Sequence, residues 1–376
     1  MTDGIAIVIE SLRGGGAQHV ASVLANAWAR QGHAVTVMTL LPADQDFFQL
    51  DPCIRRVVIH DPGASAHSGA AVLANVARIR RLRAALKGCP CATVLSFVGS
   101  MNILTVLASR GLGKRVMIAE RNDPARQSLG AAWDILRRLF YSWADLVVVN
   151  SKAAGVTLSS YVPARRIVWL PNPLREMASS QAPVPVTAPY MLAVGRLEHQ
   201  KGIDVLLPAF AQVSAALPEW KLVILGDGSL RQSLQQMATA LGVAPRVIFA
   251  GHVADPSPWY RQARMLVHPA RFEGLPNAVL EAMDASCSVI VTDAQTGLCE
   301  FVRDGETGLV VPVDSVSALA DAMLRLSQDR GLCERLGRAG REAAAPCRTE
   351  NAISLWSDAL LEANGKNQDV TRTLRR

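Results

Sequence analysis

Short apolar runs alternate with helix-like stretches along almost the whole chain. This alternation restricts the fold more than any other feature of the sequence. In the first half, strands are expected near Ile5–Glu10, Ala34–Leu40, Val57–His60, Thr93–Ser96, Arg115–Ala119, Leu146–Asn150 and Ile167–Leu170. A helix from Ala17 to Gln31, ended by Gly32, falls between the first two. Strands separated by helical crossovers pair in parallel, because each crossover returns the chain to the same end of the sheet. The stretch from Ser179 to Pro189 is rich in Pro, Ala and Ser and interrupts the pattern as a linker would. Alternation restarts at Tyr190, with strands near Leu192–Gly195, Lys221–Leu225, Val247–Ala250, Met265–His268, Val289–Val291 and Gly308–Val311. The chain therefore reads as α/β, with a doubly wound parallel sheet in each of two domains. One domain is expected over residues 1–178 and the other over 190–349, joined by a linker over 179–189. A length of 376 residues suits two domains, and an apolar content of 50% supplies two cores.

Composition excludes several classes. The run Ile5-Ala6-Ile7-Val8-Ile9 has no basic segment before it and no cleavage site after it, so it reads as a first strand rather than a signal peptide. No stretch is long and apolar enough to span a membrane. The seven cysteines, at positions 53, 89, 91, 287, 299, 333 and 347, are odd in number and scattered. Cys89-Pro90-Cys91 is too tight for a zinc knuckle and has no second pair. Reduced thiols in a cytoplasmic protein are the expectation. The net charge is +7, but residues 1–178 hold 20 Lys/Arg against 11 Asp/Glu, and the remainder holds 19 against 21. An anionic surface or substrate is expected on the basic N-terminal side.

Three segments concentrate chemistry at strand ends. Arg271-Phe272-Glu273-Gly274-Leu275-Pro276-Asn277-Ala278-Val279-Leu280-Glu281 follows the run Met265–His268 and carries two glutamates with seven residues between them. Gly274 permits close approach of a ligand, and Pro276 suits the first position of a helix. Gly195-Arg196-Leu197-Glu198-His199-Gln200-Lys201-Gly202 follows Tyr190–Val194, and Gly226-Asp227-Gly228 follows Lys221–Leu225. A strand, a tight turn and a helix start present backbone N–H groups and a positive dipole end to an anion. Ligands of open α/β sheets bind at this edge.

The Glu-x7-Glu motif, the Gly195–Gly202 segment and the Gly226–Gly228 turn, in this order, resemble the retaining glycosyltransferases of family 4, which have the GT-B fold. The resemblance runs from Ile5 to about Trp356. It implies two Rossmann-like domains with parallel sheets facing across a cleft. It also implies a last helix, about 350–362, that returns to the N-terminal domain, before a polar tail over 363–376 expected to be disordered. It implies catalytic roles for Arg196, Lys201 and Glu273. Arg196 and Lys201 would stabilise the charge that grows on a departing diphosphate without a metal. Glu273 would contact the donor sugar, and Glu281 would accept hydrogen bonds from the ribose hydroxyls, since one carboxylate can accept from two vicinal hydroxyls. Gly195, Gly226, Gly228, Gly274, Leu275, Pro276 and Asn277 would line the donor site, and the turn at Val253 would read the base through its backbone. Gly15 and Gly16, in a loop after the first strand, would face the donor phosphates; Gln18 there stands where relatives more often have Glu. Glu120 and Arg121 occupy the place where many relatives have a histidine, so an acceptor-side role is open for them. Asn150, Ser151 and Asn172 sit at strand ends, where such residues often serve as caps.

Rival patterns are weaker. Were Glu273 and Glu281 on one helix, their separation would be about 12 Å, beyond the roughly 5–9.5 Å of a glycosidase carboxylate pair. Asp44-Gln45-Asp46 has a metal-binding spacing, but it is common by chance, and the cation pair replaces a metal; no metal or other cofactor is expected. No strand is followed by the glycine fingerprint of a nicotinamide site. The segment Val76–Lys87 is a basic amphipathic helix that, with Arg55, Arg56, Arg137 and Arg138 and near Trp133, Phe140 and Trp143, suits peripheral contact with an anionic membrane. No nucleic-acid motif is present. The expected activity is transfer of a hexose or N-acetylhexosamine from a nucleotide sugar, taken as UDP-linked, to a hydroxyl of a growing bacterial surface glycan carried on a polyprenyl diphosphate. The alternatives are a GT-B synthase acting on a soluble acceptor, or a non-catalytic nucleotide-sugar-binding protein.

Overall fold

The computed structural model describes residues 4–13, 15–59, 68–121, 124–125, 128–175, 183–273, 275–294 and 297–362. The chain divides into two compact units, one of Met1–Pro173 with Ala352–Arg376 and the other of Leu174–Asn351. Each has a parallel sheet covered by helices, the doubly wound architecture read from the sequence.

In the first unit the strands are β1 (Gly4–Ile9), β2 (Val35–Thr39), β3 (Arg55–Val58), β4 (Cys91–Phe97), β5 (Arg115–Glu120), β6 (Leu146–Val149) and β7 (Ile167–Trp169). Their order across the sheet is β3-β2-β1-β4-β5-β6-β7. Every residue of β1 and β2 is buried. Helices on both faces leave no solvated side to the sheet, so its central strands are continuous apolar runs rather than alternating ones. Winding proceeds outward from β1 to β3 and then crosses back to β4. The loops after β1 and β4 therefore diverge and open a crevice at the strand C-termini. The terminal helix Thr349–Glu362 closes the core of this unit. Its Trp356 is fully buried among β1, β4 and β5, and its indole N–H donates to the Pro171 carbonyl at 2.9 Å.

The second unit repeats the plan with β8 (Tyr190–Val194), β9 (Lys221–Leu225), β10 (Val247–Gly251), β11 (Met265–His268), β12 (Ser288–Thr292) and β13 (Leu309–Val311), in the order β10-β9-β8-β11-β12-β13. Its winding reverses between β8 and β11. Residues 183–189, expected as linker, are not free chain: Val184 and Val186 are buried. The remainder of that linker, and the tail over 363–376, lie outside the described residues.

Two boundaries moved for reasons outside the local sequence. β3 begins at Arg55 rather than Val57, because register with β2 pairs Arg55 with Thr36 and recruits polar residues that no hydrophobic pattern marks. The basic helix expected from Val76 begins at Ser68. Some cations of that region also turn inward. Arg83 donates to the Ala108 and Arg110 carbonyls at the end of the helix Gly99–Ser109, Arg137 is buried and paired with Asp134, and Arg56 is paired with Asp46. They are spent on holding the fold and so are not part of the basic surface expected to meet an anionic membrane. Among the described residues no helix is long and apolar enough to cross a membrane.

Candidate active site

The switch point of the second unit brings the predicted segments together. The loop after β8 carries Gly195, Arg196 and Lys201, and the loop after β11 carries Glu273, Leu275 and Pro276. Backbone and side-chain bonds stitch the two. Arg271 N donates to the Gln200 carbonyl at 2.9 Å, and Gln200 Nε2 donates to the Phe272 carbonyl at 3.0 Å. The Arg271 guanidinium grips both oxygens of Asp204 at 2.7–2.8 Å and reaches Asp314 at 2.8 Å. That bond to Arg271 holds the Asp204 carboxyl below the usual range. The loop after β9 joins through Glu198, which accepts from Ser229 N at 3.1 Å and from its hydroxyl at 2.8 Å.

Within this frame Lys201 Nζ is paired with Glu273 Oε1, and both side chains are largely buried. The aliphatic stem of Lys201 crosses Gly195, where an added Cβ would lie 3.0 Å from Lys201 Cε. Arg196 is exposed and reaches Gln200 Oε1 at 3.4 Å; the Ser229 bonds first, and the Arg196 charge after them, hold the Glu198 carboxyl below its ordinary pKa. The pair read from sequence as two equal cations is thus unequal: Lys201 is paired with Glu273, and Arg196 is exposed.

Glu281 lies on the helix Asn277–Asp284 and Glu273 on the loop before it, so the two carboxylates do not share a helix. Glu281 Oε2 accepts from the Tyr260 hydroxyl at 3.0 Å. Burial pushes its carboxyl pKa up, against the pull of the Tyr260 bond and the Arg175 charge. Pro276 is the cap rather than the first helical residue; Asn277 takes that place. Pro276 cannot donate in any case, so the shift leaves the helix N–H groups from Asn277 onward at the same edge. Leu275 and Pro276 are buried, and Gly274 lies outside the described residues.

Gly226 and Gly228 are explained differently from the expectation. A Cβ at Gly226 would lie 2.0 Å from the Gly195 carbonyl oxygen, and one at Gly228 would lie 2.5 Å from that of Leu197. These glycines let one loop of the chain lie against another; ligand approach is not needed to account for them. Val253 follows β10, the edge strand, two strands from β8 and so at the far side of this group.

In the first unit Gly15 caps the helix Gly16–Arg30 without a side-chain hydrogen bond, and the first turn holds no acidic residue. Glu120 and Arg121, for which an acceptor-side role was open, do not present their side chains outward. Glu120 is 2% exposed; it accepts from Tyr141 Oη at 2.7 Å and from Arg121 N at 3.1 Å. Arg121 is 7% exposed, stands 4.9 Å over the Trp356 ring and donates to Asn172 Oδ1 at 2.8 Å. Burial pushes its guanidinium pKa down to about 9. Glu120 packs inward against Tyr141, whereas Arg121 packs inward against Trp356 of the terminal helix. Asn150 donates to the Arg121 carbonyl at 2.9 Å, and Ser151 Oγ caps the helix Lys152–Leu158. Of the Asp44-x-Asp46 pattern, Asp46 is spent on Arg56, and among the described residues no group of three or more His, Cys, Asp or Glu gathers as metal ligands do.

Three residues were not singled out from the sequence. His268, at the end of β11, lies 3.9 Å from Glu273 Oε1. Tyr260 holds Glu281. Val98, at the end of β4 beside the other switch point, has φ 73° and ψ 132°. A β-branched residue there is strained by about 1–3 kcal/mol. Position before Pro269 in a buried strand could have marked His268, because a buried titratable group is unusual. Nothing local marks Tyr260 or Val98.

Comparison with known proteins bears on fold and family. The family model "Glycosyltransferase Family 4" matches residues 14–175, and "Glycosyl transferases group 1" matches residues 175–343. One relative is a Campylobacter jejuni α-1,4-N-acetyl-D-galactosaminyltransferase named for a diNAcBac-PP-undecaprenol-linked substrate. It is 27% identical over 335 residues, covering 88% of this chain and 91% of the relative. A lipopolysaccharide core biosynthesis glycosyltransferase of Rhizobium meliloti is 34% identical over 231 residues, covering 60% and 66%. The crystal structure of Anabaena HepE in complex with UDP superposes with a TM-score of 0.82 at 16% identity, covering 96% of this chain and all of that one, a likeness of fold. Two adjoining family matches that span residues 14–343, two doubly wound units and named bacterial glycosyltransferase relatives place the chain in the family 4-like glycosyltransferases of GT-B fold.

Proposed function

We propose that this glycosyltransferase is a retaining, metal-independent enzyme that moves a hexose or N-acetylhexosamine from a UDP-sugar to a sugar hydroxyl of a lipid-linked surface glycan. The observation that carries the reading is the loop pair at the second switch point, where exposed Arg196 and Glu273-paired Lys201 lie beside the start of the helix Asn277–Asp284. Two cations and a helix N-terminus match two phosphates. On this reading Arg196 and Lys201 hold the diphosphate, Glu273 faces the sugar, and Glu281, with Tyr260 behind it, takes the ribose hydroxyls. In the step itself the bond from the sugar C1 to the outer phosphate oxygen breaks with its electrons passing to phosphate. The acceptor oxygen attacks from the same face, and its proton passes to the departing phosphate. Electrostatic stabilisation of that phosphate replaces a metal. The undecaprenol-linked substrate named for the Campylobacter relative supports the acceptor class, and UDP in the Anabaena structure supports the base.

Thermal unfolding with a panel of nucleotides in EDTA tests the donor side. UDP or a UDP-sugar is expected to raise Tm; a ligand at 100 times its Kd adds about 2.7 kcal/mol. A shift with GDP or ADP forms alone overturns UDP, a shift only without EDTA overturns metal independence, and no shift at all sinks the donor site.

The lipid-linked acceptor is assigned to the first unit, at a membrane surface. Leu73 and Val72 on the helix Ser68–Lys87 are 72% and 63% exposed, and Ile135 and Leu139 on the helix Ala131–Phe140 are 59% and 56% exposed. Both helices pack on the helix Gly99–Ser109, and exposed Arg80 and Arg138 accompany them. Apolar side chains flanked by cations suit an anionic bilayer, each cation contributing about 1 kcal/mol. Sedimentation with phosphatidylglycerol vesicles is expected to fall when Arg80 and Arg138 become Glu and Leu73 and Leu139 become Ser. Unchanged sedimentation rejects this surface, and activity on a soluble glycan without vesicles would favour the soluble-acceptor alternative.

A further inference from the structure

Around Glu273 the chain holds one polar group that the reading above does not use. His268 is 3% exposed, and its Nε2 is buried without a hydrogen-bond partner. That nitrogen lies 3.9 Å from Glu273 Oε1, the same oxygen that Lys201 holds. The gap is about 1 Å longer than an N–H···O bond. The imidazole is neutral, because burial first and the Lys201 charge second push its pKa down to about 3. A neutral imidazole has one N–H donor and one bare nitrogen, and buried polar groups without partners are rare and costly. His268 also cannot follow a moving partner: it ends β11, in register with Val291 of β12. Glu273, five residues on, stands on a loop and can.

We propose that His268 is a positioning residue for Glu273: when Lys201 turns from Glu273 to the donor diphosphate, the released carboxylate closes on the fixed His268 Nε2–H, which keeps it aimed at the sugar. The identity of what draws Lys201 away rests on the donor reading, but the exchange itself needs only the loss of the Lys201 charge from Glu273. The exchange has a chemical consequence. With Lys201 in place Glu273 is half of a neutral pair and offers no field to a sugar. With His268 in place the carboxylate stays hydrogen-bonded but keeps its full negative charge, beside the carbon that becomes positive as the phosphate leaves. Donor binding would thus unmask the charge it needs, and no proton moves.

The test is imidazole proton–nitrogen NMR on the full chain with ¹⁵N-labelled histidine at pH 8, the His268 signal being assigned by its loss in His268→Gln. In Lys201→Met, with no ligand, the His268 Nε2–H signal is expected to move downfield and to exchange with water about tenfold more slowly. The change is expected to vanish in Lys201→Met/Glu273→Gln. Lys201→Gln makes the same test should the methionine variant not fold. A His268 signal that is unchanged in the Lys201 variants, that stays shifted in the double variant, or that shows the Nδ1–H tautomer overturns the proposal. UDP added to the unmodified chain separates the two readings. A shift in Lys201→Met without one on adding UDP leaves the exchange standing and removes the donor assignment; no shift in Lys201→Met removes the exchange whatever UDP does.

Discussion

Lys201→Met is expected to lower the rate of UDP release from a UDP-sugar by about 10²–10³-fold, the loss that follows removal of one preorganised group from developing negative charge. Arg196→Met is expected to give a loss of the same order, because in the proposed mechanism both cations act on the same departing diphosphate. The two variants should differ in stability. Arg196 is exposed and its hydrogen bond to Gln200 is long, so its loss is expected to leave Tm nearly unchanged. Lys201 is paired with a Glu273 side chain that is 12% exposed, so its removal strands a carboxylate with little water around it. A buried pair broken on one side is destabilising for that reason. The exchange proposed for His268 softens this cost without a new charge. Initial-rate kinetics and melting curves on the two variants decide the matter. Rates within a few-fold of the parent in both would remove the cation pair from the mechanism. A large loss for Lys201 with none for Arg196 would leave Lys201 acting alone.

Trp356→Ala is expected to destabilise the first unit by about 3–5 kcal/mol, as deletion of a fully buried large aromatic does. Three contacts go at once. The indole fills the core beside β1, β4 and β5, it stacks on Phe97 with ring centroids 6.1 Å apart, and it lies under the Arg121 guanidinium. The Pro171 carbonyl also loses its donor. Arg121 suffers most, because a buried cation with one hydrogen bond would lose its nearest aromatic face. Urea unfolding followed by far-UV circular dichroism measures the change. Two-unit chains can unfold in steps, so the expected signature is an earlier first transition with the second unchanged. A single transition with an unaltered midpoint would show that the terminal helix contributes little to this core.

How far the sequence carried the reading depends on what each feature needs. Every strand expected from an apolar run is present, and the helix expected over Ala17–Gln31 spans Gly16–Arg30. Apolar periodicity, punctuating glycines and the Gly/Pro turns are local signals that act within one element, so one chain of letters carries them. Misplaced boundaries arose where a neighbour set the limit, as β2 did for Arg55. The segments that hold Arg196, Lys201, Glu273 and Glu281 were legible too, since glycines and charges after an apolar run mark a strand C-terminus whatever lies next to it. Which residues meet across those loops was not. Lys201 and Glu273 are 72 positions apart, and their pairing follows from β8 and β11 being neighbours at the point where winding reverses. Gly226 looks like any ligand-facing glycine until the Gly195 carbonyl is found against it. Glu120 and Arg121 read as two charged residues at a strand end, and their inward turns depend on distant partners, Tyr141 for Glu120 and Trp356, on a helix more than 200 residues later, for Arg121. Ionisation state is the most remote of these properties from composition. A histidine before a proline says nothing of its pKa; His268 is neutral because the sheet buries it and Lys201 stands close, and both conditions exist only once the chain has folded.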